Sequence, residues 1–461
     1  MTIDAATLTT LTGETVELLQ ALIRNQCVND GTAASGHEDR SARLLLGELE
    51  GFGLDIETFE PTPGRTSLVA RHHGTDPDAP ALCLMGHTDV VPVSPEGWQR
   101  DPFAAELVAD PATGSLDGDG AEVWGRGAVD MLNLTSSMAV AFKHLVRNDI
   151  RYPGDIVYFA VADEEAGGVH GAEQLVRDEW DALRCDYLLT EFGGFATHGP
   201  EGKSLQITTA EKGIGWRRLH VKGTPGHGSR PLGADNALIK AAEVVRRLAA
   251  FAPKAKLDEL WGARIEALGV DDELRRRLLD PASVDDAIFE LPEQHQALTH
   301  ACCHMTFSPN VAHGGVKTNV IPDQVTIEVD IRTLPGETRA DVEAALAEAL
   351  GELIHHVEVE VIHEDPSTAS PIGGPLWDAV KSSMLVAYPE AKVLPSMVTG
   401  GTDSRFFRQR GVVAYGAGLL SGAIDASEFF DRFHGHNERI DRKSLELTTK
   451  LWFDVCDRLW T

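Results

Sequence analysis

The chain has 461 residues, of which 43% are hydrophobic and 24% charged, and its net charge is −30. That length buries a large core and suggests two domains, and the composition is that of an ordinary soluble protein. So acidic a surface repels phosphate backbones and anionic lipid, which argues against nucleic acid or a membrane as partner; its simplest role is solubility.

The N-terminal stretch "MTIDAATLTTLTGETVELLQALI" carries acidic residues where a secretory signal carries basic ones, and no small-residue cleavage site follows. No segment approaches the ~18 uninterrupted apolar residues of a membrane span. Cys27, Cys83, Cys185, Cys302, Cys303 and Cys456 are scattered without framework spacing, so reduced thiols in a cytoplasmic protein are expected. "CCH" at 302–304 lacks a second ligand pair at usable spacing for a metal.

Helical periodicity comes first, in "VELLQALI" and in "RSARLLLGELEGFG", which stops at glycine. Apolar strand candidates follow: "SLVARHH", "ALCLMGH", "DIVYFAVAD" and "CDYLLTEF". Helical stretches such as "LTSSMAVAFKHLVRN" and "GAEQLVRDEW" separate the later ones, as in an α/β sheet covered on both faces. After about residue 208, "GWRRLHVKG" and "VTIEVDIRTLPG" alternate polar with apolar residues, the pattern of strands with one solvated face. The helical runs "NALIKAAEVVRRLAAF" and "TRADVEAALAEALGELI" accompany them, and "HHVEVEVIHED" closes the set. From "PIGGPLWDAVKSSMLVAY" the first texture resumes. The expected fold is α/β: residues 1–209 and 365–461 form a domain with a central, mostly parallel sheet, and 210–364 form an inserted α+β domain. The charged helical stretch 254–300 is an elaboration within the insertion.

Ligands of such sheets bind beyond the carboxyl ends of the strands. There the outer domain places His87 and Asp89, Asp130, the run Asp163–Glu164–Glu165, Glu191, and His434 with His436. Each has an ordinary explanation: a helix N-cap for Asp130, a solvated turn for Glu164 and Glu165, a loop carboxylate or surface histidine for the others. Together they offer imidazole and carboxylate without thiolate, a donor set for one or two zinc-like ions. One carboxylate can bridge a metal pair, and of two adjacent glutamates one can bind metal while the other handles a proton.

The ordered motifs "GHTDVVPV", "WGRGAVDML", "DEEAGG", "TEFGG", "GTPGHGSRP", "NVIPDQ", "GGTDSRFF" and "FHGHNERI" run nearly end to end. In them the chain resembles the aminoacylase/glutamate carboxypeptidase family of dizinc metallopeptidases, which also contains carnosinases, carboxypeptidase S and succinyl-diaminopimelate desuccinylase. The resemblance implies a zinc-peptidase catalytic domain and an inserted lid or dimerisation domain. It implies that His87, oriented by Asp89, binds a first metal with Glu191, that Asp130 bridges both ions, and that Glu165 and His434 bind the second. His434, rather than His436, matches the family's ligand. Glu164 matches the general base. His227 matches the lid histidine that steadies the oxyanion, in dimeric relatives at the partner's site. Asn319, Arg332, Gly401 and Thr402 match residues that hold the substrate's backbone and free carboxylate. Two Zn2+ per chain are expected, with Co2+ or Mn2+ as substitutes; the resemblance leaves open a monomer or a homodimer through the insertion.

The implied activity is hydrolysis of an amide or peptide bond next to a free α-carboxylate, in an N-acyl amino acid or short peptide. Within the family a glutamate at the position of Glu191 goes with carboxypeptidases and deacylases more than with aminopeptidases. A biosynthetic deacylase, such as succinyl-diaminopimelate desuccinylase or acetylornithine deacetylase, and an inactive binding protein on the same fold are the alternatives.

Overall fold

The computed structural model describes residues 3–199, 202–423 and 426–460. Its largest element is a ten-stranded mixed sheet. Four strands in the middle run parallel, in the order Ile156–Val161, Leu82–His87, Tyr187–Thr190, Val413–Gly416. The sheet expected to be mostly parallel is thus mixed: parallel in these four strands and where Lys392–Val398 pairs with Gly202–Glu211, antiparallel elsewhere. The strands Asp55–Thr62 and Arg65–His72 extend one side antiparallel, and the other side turns on Gly202–Glu211.

Period-two burial explains why the central strands read as continuous apolar runs. All six residues of Leu82–His87 and all six of Ile156–Val161 are buried. Leu82, Leu84, Ile156 and Tyr158 pack on one face, under the helices Ala5–Arg24, Leu132–Arg147 and Arg442–Leu459. Cys83, Met85, Val157 and Phe159 pack on the other, with Leu175 and Phe407 of the helices Ala172–Asp178 and Ser404–Gln409. At Gly86 a Cβ would come within 3.0 Å of Thr135 Cα, so only glycine lets Leu132–Arg147 lie this close to the strand. Thr135 Oγ1 then donates to the His87 carbonyl at 2.7 Å, which ties the helix start to the strand end.

The chain leaves the large sheet at Glu211 and enters a separate four-stranded antiparallel sheet at Gly213, returning after Asp365. Leu219, Val221, Val329 and Ile331 of this sheet pack against Val244 and Leu346 of the helices Ala237–Ala250 and Arg339–Leu350. The opposite face carries ion pairs, Arg218 with Glu328 at 2.8 Å and His220 with Glu360 at 2.7 Å among them.

Residues 254–300 contribute four helices beginning with Glu259–Leu268, gathered on Trp261, Ile265, Leu278 and Ile288. Although inserted in the smaller unit's sequence, they reach back to the large sheet. Thr197 Oγ1 donates to the Ala267 carbonyl at 3.3 Å, and Lys392 Nζ lies 3.0 Å from Glu266 Oε1. At the crossing point the buried Lys212 donates from Nζ to the carbonyls of His304, at 2.7 Å, and Ala301, at 3.0 Å, at the end of the helix Glu293–Cys303.

Candidate metal centre

Parallel pairing brings the carboxyl ends of Leu82–His87, Ile156–Val161 and Tyr187–Thr190 side by side, with His87, the turn Asp163–Glu165 and Glu191 upon them. Asp130 arrives from the start of the helix Leu132–Arg147, and His434 from the last loop before the C-terminal helix. One oxygen of Asp130, Oδ1, lies 3.2 Å from His87 Nε2; the other, Oδ2, lies 3.2 Å from His434 Nε2. Glu165 Oε2 is also 3.2 Å from His434 Nε2. Around His87 Nε2, Glu191 Oε2 stands at 3.8 Å and Glu164 Oε2 at 4.0 Å. Two groups able to hold an ion occur among the described residues, His87–Glu164–Glu191 and His87–Asp130–Glu165.

His87 Nδ1 lies 3.0 Å from the Asp89 carbonyl oxygen, which can only accept. In the neutral ring Nδ1 therefore carries the proton and Nε2 keeps its lone pair for a cation. The Asp89 carboxylate is farther from Nδ1, at 3.6 Å. It accepts instead from the Glu164 and Glu165 amides, at 3.2 and 3.1 Å, and from Asn29 Nδ2 at 2.9 Å. Asp89 thus orients His87 chiefly through its main chain, and its side chain fixes the turn that carries the two glutamates.

Burial makes this cluster electrostatically demanding. Asp89, Asp130, Glu164, Glu165 and Glu191 crowd around two imidazoles, and a buried carboxylate without a partner is costly. Burial raises Glu164, and the nearby Glu191 raises it further, well above the carboxylate range. Burial also pushes Glu191 up to about 8 despite the His87 imidazole nearby. Burial and the Asp130 charge raise Glu165. Hydrogen bonds to Asp130 and Glu165 lift His434 to about 10. Only Asp130 goes down: burial opposes ionisation, but the bonds to His434 and His87 outweigh it. Glu165 Oε1 is buried with no hydrogen-bond partner. An excess of oxygen donors, an orphaned carboxylate oxygen and an imidazole whose Nε2, on losing its proton, turns a lone pair toward them fit divalent cations of the zinc type.

The supporting residues were not singled out in the sequence. Glu438, fully buried, accepts from the Val129 and Asp130 amides at 2.8 and 3.2 Å, while Arg126 Nη1 donates to it at 2.7 Å. Arg126 also donates to the His434 carbonyl at 3.2 Å, so one ion pair anchors Asp130 and His434 together. Arg65 joins Glu38 at 2.7 Å and Asn29 Oδ1 at 2.9 Å beneath the turn. Asp403 of "GGTDSRFF" is also buried, and burial lifts its carboxyl to about 7. Glu438 lies within a quoted motif, but Asn29, Glu38 and Arg65 stand in stretches that read as ordinary loop, helix and strand.

The remaining site candidates lie apart. His227 and Asn319 share a small ribbon, Gly226–His227 paired with Val320–Ile321, in which Gly228 N donates to the Asn319 carbonyl at 2.8 Å. Arg332 is paired with Asp330, Nε to Oδ1 at 2.7 Å. Among the described residues, no hydrogen bond or ion pair joins these three to the carboxylate cluster. Gly401 lies beside Arg405, and Thr402 donates from N and Oγ1 to the buried Glu211, at 2.6 and 3.0 Å.

The family model "Peptidase family M20/M25/M40" matches residues 83–458. Aminoacylase-1 of Sus scrofa is 29% identical over 417 residues, covering 89% of this chain and 85% of that protein. An M20 family metallo-carboxypeptidase of Sulfolobus solfataricus superposes with a TM-score of 0.71 at 18% identity, over 97% of this chain and 99% of that one. Human carnosine dipeptidase 1 gives 0.68 at 18% identity, over 98% and 97%.

Cation ligands must be deprotonated, and the raised values of Glu191, about 8, and His434, about 10, keep both protonated at pH 7 in the metal-free protein. Zinc loading at pH 7 should therefore release protons, and affinity should rise as the pH climbs through those values. Calorimetry in buffers of different ionisation enthalpy reads the release. A pH-independent affinity without proton release would remove these two residues from the ligand set.

Proposed function

The chain belongs to peptidase family M20/M25/M40, and from that membership we propose that it hydrolyses an amide bond beside a free α-carboxylate through a pair of metal ions. The observation that carries this is Asp130, whose two oxygens each face one imidazole at 3.2 Å, as a bridging carboxylate requires. His87, Glu191 and Asp130 would hold one ion; Glu165, His434 and Asp130 the other. The donor set suits Zn2+, with Co2+ or Mn2+ as substitutes. When bound, such a pair lowers the pKa of water toward ~7 and polarises a carbonyl.

Glu164 is the proton carrier. It stands 4.0 Å from His87 Nε2, and its side chain is 12% exposed, so it has access to a water and to a leaving nitrogen. As a carboxylate beside bound cations it takes a proton from the attacking water and returns it to the amine. The Asp89 bonds to its amide hold it there.

His227 suits the oxyanion. The Ser229 amide lies 3.2 Å from His227 Nδ1 and can only donate, so Nδ1 accepts and Nε2 carries the proton of the neutral ring. An exposed N–H donor on the insertion can meet a tetrahedral oxygen when the two units close, or in a homodimer at the partner's site. Asn319 and Arg332 would hold the substrate's backbone and carboxylate, and Asp330 already orients the Arg332 guanidinium for a bidentate grip. Bonded to Glu211, Thr402 keeps the Gly400–Gly401 backbone fixed for the same carboxylate.

Likeness to aminoacylase-1 favours N-acyl amino acids over the substrates of biosynthetic deacylases. Retention of the base and all five ligand candidates disfavours an inactive binding protein. The six cysteines are unpaired, and no helix among the described residues is long and apolar enough to cross a membrane; a cytoplasmic location agrees with both.

Glu164→Gln should lower kcat on N-acyl amino acids by ~10²–10⁴ and leave the metal content unchanged. Loss of metal in that variant would make Glu164 a ligand instead. His227→Ala should lower kcat by ~10²–10³ with a smaller effect on KM. If inactive His227→Ala chains regain activity on mixing with inactive Glu164→Gln chains, the lid serves the partner's site. A His227→Ala enzyme at full rate would remove the histidine from the reaction.

A further inference from the structure

A cavity of about 520 Å³ lies between the helices of 254–300 and the edge of the large sheet. Protein interiors are close-packed, and an open volume this large forfeits contacts all along its walls, so its retention calls for an occupant. One wall comes from the neighbours of the metal-centre candidates. Phe192 follows Glu191 directly, and Gly400 opens the "GGTDSRFF" loop. Phe192 stacks on Phe433, the residue before His434, at 5.1 Å between ring centroids. Thr208, also in this wall, donates to the Phe192 carbonyl. The other wall belongs to the helices, where Leu260, Ala267, Leu268 and Leu298 stand among Arg264, Gln294, His295 and Cys302. Among the described lining residues the only arginine or lysine is Arg264, and its guanidinium is taken up by Thr299 Oγ1 at 2.8 Å. Leu298 remains 38% exposed in this setting.

We propose that this cavity is a binding pocket for a long hydrocarbon chain of the substrate, entered from the metal centre beside Phe192. The inference rests on the proposed amide hydrolysis and goes beyond it in naming the substrate class: amides bearing an extended aliphatic chain. Such a volume is within the ~300–1,000 Å³ of small-molecule pockets. Phe192, Phe195, Met397 and Phe430 on one side and the four aliphatic residues on the other make most of the lining apolar, so a molecule with its polar amide at the ions and its chain along this lining fits. It also gives residues 254–300 a function: they build one side of the pocket.

The chain can belong to the acyl group or to the amino acid, and two substrate series separate them. N-acylglycines from acetyl to dodecanoyl vary the first; N-acetyl amino acids from alanine to 2-aminododecanoate vary the second. In one series KM should fall about fourfold per added methylene until the pocket is full. Ala267→Trp, which fills the cavity, and Leu298→Asp, which makes its wall polar, should each abolish that gain while the shortest substrate keeps its kcat/KM within about twofold. A second readout does not need catalysis: calorimetry should show 1-dodecanol binding once per chain, at least tenfold tighter than 1-hexanol, with the difference lost in either variant. Should no amide be hydrolysed while dodecanol binds in this way, the pocket stands and the hydrolase reading falls. Hydrolysis without chain-length dependence in either series, or equal binding of the two alcohols, overturns the pocket.

Discussion

The site depends on one carboxylate placed between two imidazoles. Asp130 offers an oxygen to His87 on one side and to His434 on the other, and every other charged group nearby is arranged around that bridge. Without positive charge the arrangement is unfavourable, because Glu191 is buried, Glu164 and Glu165 are largely shielded, and each resists ionisation. A pair of divalent cations reverses that balance. The protein holds such a bridge in place by main-chain bonds: Glu438 grips the Asp130 amide, Arg126 ties Glu438 to the His434 carbonyl, and Asp89 grips the amides of both glutamates. His434 itself stands at φ +56°, a left-handed backbone that the surrounding bonds must maintain.

The larger architecture follows from bringing those groups together. Three parallel strands end at one level and deliver His87, Glu164 with Glu165, and Glu191 without long loops. Gly86 lets the helix Leu132–Arg147 approach, which sets where Asp130 stands relative to His87. The insertion departs from Glu211, the buried carboxylate that Thr402 and Arg408 clasp, so the "GGTDSRFF" loop and the crossing point share an anchor. Its helical part returns to the large sheet and walls the cavity that Phe192 also lines.

Much of this was legible in the sequence. The central strands announced themselves because burial on both faces demands unbroken apolar runs, and the polar residues at their ends stood out against them. The inserted sheet was legible from strict alternation, as in Gln324–Thr333, whose residues alternate between buried and more exposed. The antiparallel margins of the large sheet were less so, since pairing direction leaves no mark on composition. Asn29, Glu38, Arg65 and Arg126 escaped notice because their work is done by contacts across long sequence separations, such as Arg126 with Glu438. The return of 254–300 to the large sheet escaped for the same reason: an amphipathic helix records that it has a buried face, not what covers it.

The central claim is that this cluster holds two cations in one bridged site, and metal stoichiometry tests it most directly. Protein prepared without chelator, loaded with zinc and freed of excess by gel filtration, should retain about two equivalents per chain by elemental analysis, as a shared carboxylate between two ligand sets requires. A fully folded protein that retains one equivalent or none would contradict the account.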